Sequence, residues 1–85
     1  MLILYKFRSL REALNSKIHL RLYDMVVEGV LRAIDNNLVL SDVTEFLNGK
    51  PIAKYRTLFV KGSQIITINI DGITLSLKND NKDSY

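Results

Sequence analysis

The chain has 85 residues, 47% of them hydrophobic and 25% charged, with twelve Lys and Arg against nine Asp and Glu for a formal net charge of +3. That length leaves room for one domain and one core, and that composition excludes an intrinsically disordered chain. No cysteine is present, which excludes a disulfide framework, a thiol nucleophile and a thiolate metal site and fits a reducing compartment.

A sequence pI of about 9.3 favours an acidic partner, although no run of five or six like charges marks a basic tail. A chain of this size hides only about 60–65% of the surface that its unfolded form exposes, so association with further copies is expected. Met1 to Tyr5 reads apolar, but Lys6, Arg8, Arg11 and Glu12 follow at once. No stretch approaches the roughly 20 apolar residues of a membrane helix, and the charges stand on the wrong side for a secretory signal. The expectation is a cytoplasmic protein with no membrane contact.

In chain order, Phe7, Leu10, Ala13 and Leu14 lie at helical spacing and predict a short helix over Tyr5 to Leu14, ended by the turn-formers Asn15-Ser16. From Ile18 the period becomes two: Ile18, Leu20 and Leu22 share one face of a first strand. Asp24-Met25 turns the chain into a long apolar second strand, Val26 to Ile34, which Gly29 should bend. Asp35-Asn36-Asn37 is a concentrated turn signal, followed by a third strand from Leu38 to Leu47.

Asn48-Gly49-Lys50-Pro51 reverses the chain into a fourth strand, Ile52 to Lys61, and Gly62 breaks it. Gln64 to Ile70 reads as a fifth strand, rich enough in isoleucine to want a pairing partner. Asp71-Gly72 is a further hairpin signal, leading to an extra strand over Ile73 to Leu77. The domain is expected to span residues 1–78, with a polar, disordered tail over 79–85. The fold class is therefore mainly β: a small, strongly bent antiparallel barrel of five strands with an N-terminal helix and an additional C-terminal strand.

Catalysis has little to work with. His19 is the only histidine and sits mid-strand, so neither a Cys-His pair nor a multi-histidine metal site can be built within one subunit. The glycines are scattered, so no phosphate-cradling loop is present. Asp35 and Asp42 could serve as an acid/base pair, but their spacing fits turn and surface roles equally well. The expectation is a binding protein, not an enzyme, without cofactor or metal.

Two turns combine polar groups with a constrained backbone: Asp35-Asn36-Asn37 and Lys61-Gly62-Ser63-Gln64. An Asn amide offers a donor beside an acceptor and can read a base edge, and a lysine beside a glycine can meet a phosphate or lie against a base. Each segment is also compatible with a plain turn.

Taken in order, NSKIHLRL, EGVLRAID, NLVLSDVTEF and YRTLFVKGSQI resemble the Sm-like (Sm/Lsm) family of RNA-binding ring proteins, over Tyr5 to Ile70. The resemblance implies a five-stranded bent barrel capped by a helix. It also implies a self-assembled ring of six or seven subunits, in which the fourth strand of one pairs with the fifth of the next. The ring would take single-stranded, uridine-rich RNA at its pore, with other RNA-processing proteins as further partners.

By position, the resemblance implies that Asn37 bonds the base, Asp35 braces the turn, and Lys61 with Gly62 forms the basic side of the base slot. Three departures stand out. The turn is about two residues shorter than is usual in the family, Asn36 stands where a stacking aromatic or His is common, and Lys61 replaces the usual Arg. Lysine lacks the flat guanidinium that stacks and bonds in two places at once. The departures leave room for an alternative, a ring scaffold that has lost base recognition.

Overall fold

The computed structural model of the protein describes residues 11–76. Most of the predicted helix over Tyr5 to Leu14, together with Leu77 and the polar tail, lies outside the described residues. The end of the helical segment lies within them: Arg11 is helical and residues 12–15 turn. Leu14 N–H donates to the Arg11 carbonyl, Ser16 N–H donates to that of Ala13, and the Ala13 side chain is buried.

Six strands follow: β1 (Lys17–Leu22), β2 (Val26–Ile34), β3 (Asn37–Leu47), β4 (Lys50–Lys61), β5 (Ile65–Ile70) and β6 (Ile73–Ser76), with a 3-10 turn at Gly62–Gln64 between β4 and β5. They form one antiparallel sheet in the order β4-β3-β2-β1-β5-β6. In β1 the period of two is complete: Ile18, Leu20 and Leu22 are buried and the residues between them exposed. Burying one such side chain stabilises by about 1.5–3 kcal/mol.

Gly29 bends the sheet for a steric reason. A Cβ there would lie 3.0 Å from Val43 Cγ2 and 3.1 Å from the Ser41 carbonyl oxygen, so any larger residue would push β3 away from β2 by a few tenths of an ångström. The β2–β3 register shifts at this point, between Glu28 and Val30, and again between Leu31 and Ala33. Both shifts act as bulges that coil the sheet. Leu20, Val27, Leu31 and Leu40 are completely buried inside the curl, and the described core contains no buried polar side chain.

The two tight hairpins follow from their turn residues. Asn48 and Gly49 have φ of 53° and 80°, and Asp71 and Gly72 have 51° and 83°. Positive φ at both central residues is the primed turn whose twist matches the flanking strands.

Several predicted boundaries move. Asn37 is the first residue of β3, paired with Lys61, not the last residue of a turn. Asp35 and Asn36 alone reverse the chain, because the Asp35 carboxylate holds the Asn37 N–H at 2.8 Å. Lys50 and Pro51 belong to β4, since the Asn48-Gly49 turn needs no further residues. Pro51 is tolerated because β4 lies at the sheet edge and its register with β3 shifts at Phe46. β5 begins at Ile65, after the 3-10 turn. The extra strand forms, and it occupies the outer side of β5 from Thr67 to Ile70.

Candidate nucleic-acid interface

The sheet brings the two polar turns together at the shared end of β3 and β4. Asp35 Oδ1 accepts the Asn37 N–H at 2.8 Å, while the Asp35 N–H donates to the Asn37 carbonyl at 3.0 Å. Asn37 Oδ1 in turn accepts the Gly62 N–H at 3.2 Å. The first two bonds close the β2–β3 turn on itself, and the third clasps it to the start of the β4–β5 connection.

Gly62 is required by this contact. A Cβ on it would overlap the Asn36 carbonyl oxygen, a backbone atom that cannot swing aside as a side-chain end could. Its φ is not positive, so close approach, not backbone conformation, excludes larger residues.

The Gly62 bond also fixes the Asn37 amide. A backbone N–H demands an acceptor, so the Asn37 oxygen is committed to it and the Nδ2 hydrogens are left to donate elsewhere. Beside the clasp lies a cleft of about 420 Å³, within the roughly 300–1,000 Å³ typical of small-ligand sites. Ala33, Ile34, Val39 and Phe59 supply apolar walls, and Asp35, Asn37 and Lys61 supply the polar rim.

Of the five residues expected from the sequence, Asp35, Asn37, Lys61 and Gly62 thus converge on one end of the sheet. Asn36 is exposed beside them and contributes its carbonyl to the Gly62 contact. Phe59 is the residue that sequence reasoning missed. It lies two positions before Lys61 on the same strand, lines the same cleft and is 76% exposed. Period-two spacing from Lys61 would have found it, but the apolar run Leu58-Phe59-Val60 hides which members face inward.

A second polar network anchors the start of the sheet. Arg32 donates from Nε to Ser41 Oγ and from Nη1 to Asn15 Oδ1, each at 2.9 Å. Asn15 N–H donates to the Leu31 carbonyl, and the Leu31 N–H to that of Ser16. His19 stands apart from the cleft, 3.6 Å from Glu28 and stacked on Phe46. Among the described residues no three His, Cys, Asp or Glu side chains gather where they could hold a metal ion.

No curated protein matches the sequence, but solved structures share the fold. The chain is similar to an Sm protein of Pyrococcus abyssi solved in complex with a uridine heptamer, at 20% identity and a TM-score of 0.69, covering 73% of this chain and 92% of that one. A heptameric archaeal Sm protein is 28% identical at a TM-score of 0.66, covering 72% and 93%. The SmAP1 heptamer of P. aerophilum is 28% identical at 0.67, covering 73% and 86%. The family profile described as LSM domain matches residues 8–70. Because that match takes in β1 to β5 and both halves of the clasp, the chain belongs to the LSM domain family of Sm-like proteins.

Proposed function

We propose that this protein is a ring-forming RNA-binding module that holds single-stranded, uridine-rich RNA and acts in cytoplasmic RNA processing or metabolism, without catalysis of its own. The observation that carries the reading is the bond at Asn37: its oxygen is committed to Gly62, which leaves the Nδ2 hydrogens of this exposed, cleft-lining residue to donate elsewhere. Such a donor suits the O4 carbonyl of uracil and opposes the exocyclic amine that cytosine carries at the same position, whereas the O2 carbonyl is common to both bases. Asp35 holds the Asn37 backbone in place, Lys61 supplies positive charge for the phosphate, and Phe59 offers the aromatic face that Asn36 cannot.

Stacking on such a face is worth about 1–3 kcal/mol per base. A ring repeats the site, so one strand that reaches several copies gains by avidity. The uridine heptamer bound by the Pyrococcus abyssi protein and the heptameric assembly of two relatives support the same reading.

Fluorescence polarisation with labelled oligouridine and mixed-sequence RNA tests it, with the salt dependence separating phosphate contacts from base contacts. Binding at low salt that Asn37→Ala and Lys61→Ala both weaken is the expected result, and no binding of either RNA refutes it. The short Asp35-Asn36 connection favours one alternative, a ring scaffold without base recognition. In that case both variants assemble as the parent does and change nothing in RNA binding.

A further inference from the structure

Among the described residues the sheet ends at β4 and β6, and neither strand pairs with another on its outer side. β4 is a twelve-residue edge strand, exposed along almost its whole length, with Ile52 53%, Tyr55 38% and Phe59 76% accessible. A long edge carrying apolar side chains is a template for another strand. At the opposite end, Ile73 of β6 is 64% exposed.

β6 is firmly specified. Its primed Asp71-Gly72 turn suits the strand twist, and its register with β5 runs unbroken from Ile70↔Ile73 to Thr67↔Ser76. Asn69 secures it twice, donating from Nδ2 to Thr74 Oγ1 at 2.8 Å and accepting the Gly72 N–H at 3.2 Å. In a two-residue hairpin the flanking pair exchanges both backbone bonds and pair types then alternate. Ile73 and Leu75 therefore bond β5, and the N–H and C=O groups of Thr74 and Ser76 point to the open side.

Charge selects which edges meet. Residues 50–61 carry Lys50, Lys54, Arg56 and Lys61 with no acid, whereas Asp71 is the only charge in residues 62–76. Two β4 edges brought together would oppose like charges, and two β6 edges would offer only four residues each. A β4 edge against a β6 edge sets the basic strand beside an uncharged one, at the cost of a seam limited to the four residues of β6, and a head-to-tail contact of this kind generates a ring when its rotation closes.

We propose that a second copy of this chain docks its β4 on β6, so that the seam between subunits runs along Thr74 and Ser76 and β5 stays interior to its own sheet. The inference rests on the ring reading above and changes which strand makes the seam. The occupant is another subunit because strand addition requires a partner with a free edge, and β4 of a second copy supplies a long one that the uncharged β6 does not repel.

Native mass spectrometry combined with residue-resolved amide hydrogen exchange tests it on the full-length chain. In an assembled ring, the Thr74 and Ser76 amides should exchange at least about 100-fold more slowly than in dissociated subunits, with Ile73 and Leu75 protected in both. Thr74→Pro removes an outward N–H together with the Asn69 side-chain bond while sparing the backbone bonds of Ile73 and Leu75, and it should reduce the assembly to monomers where Thr74→Val, which loses the side-chain bond alone, does not. A ring in which Thr74 and Ser76 exchange freely overturns the proposal and leaves the ring reading intact, as does a ring in which all four β6 amides exchange freely because β6 has been displaced. A ring that survives Thr74→Pro also overturns it, whereas a monomeric parent protein overturns the ring reading itself.

Discussion

Gly62→Ala isolates the clasp on which the site depends. The added methyl group would overlap the Asn36 carbonyl oxygen, so the two backbones must part by about 1 Å to restore ordinary contact. That motion stretches the 3.2 Å bond from Gly62 N–H to Asn37 Oδ1 beyond useful length. The bond is worth about 1 kcal/mol, and forcing packed backbones apart costs about 1–3 kcal/mol more. A total of about 2–4 kcal/mol lowers the Tm of a domain this small by about 10–30 °C.

Two internal controls calibrate the effect. Gly49 and Gly72 have positive φ with open space where a methyl group would stand, so alanine there costs only the left-handed backbone penalty of about 1–2 kcal/mol. Thermal unfolding followed by circular dichroism, with RNA titration of each variant, should rank Gly62→Ala as the only one of the three that also loses RNA affinity. Parent-like Tm and affinity for Gly62→Ala would refute the clasp.

Phe59→Ala should weaken RNA binding by about tenfold or more if the ring face stacks on a base, and Phe59→Tyr should retain it; titration of both variants by fluorescence polarisation checks this. Leu40→Ala empties a fully buried position in β3 and should cost about 2–5 kcal/mol in urea unfolding. The Tyr55 hydroxyl donates to Glu45 Oε1 at 2.6 Å, and this bond, with a smaller contribution from desolvation and from the Glu45 charge, raises the Tyr55 pKa above 10.0. A raised folded-state pKa means that the stabilisation is complete below pH 10 and is lost as pH climbs through the folded value. Ultraviolet titration that isolates the Tyr55 step, by difference from Tyr55→Phe, should place it above 10.0, and Glu45→Ala should lower it.

The legible parts of this fold are those in which local chemistry and burial agree. Ile18, Leu20 and Leu22 alternate because β1 has one buried face. Gly29 marks a bend because a side chain there would crowd Val43 and the Ser41 carbonyl, and the Asn-Gly and Asp-Gly pairs mark turns because both need positive φ. β4 is harder to read because an edge strand is exposed on nearly every residue, leaving no alternation to fix its start or to show that Phe59 faces outward. The isoleucine-rich β5 carries a true signal of a missing neighbour, and β6 fills that place within the same chain. Within the site, residue types point to Asp35, Asn37, Lys61 and Gly62, but which end of the Asn37 amide is left to donate depends on a contact 25 residues away.

Paired titrations of the parent protein with oligouridine and oligocytidine of equal length, at one salt concentration, report whether Asn37 reads a base edge. Phosphate contacts are the same for both strands, so any difference reports the base edge. An Asn37 Nδ2 donor that meets the C4 position of the base, a carbonyl in uracil and an amine in cytosine, predicts tighter binding of oligouridine, by about 1–3 kcal/mol for one engaged base. Equal affinity for the two strands would contradict it.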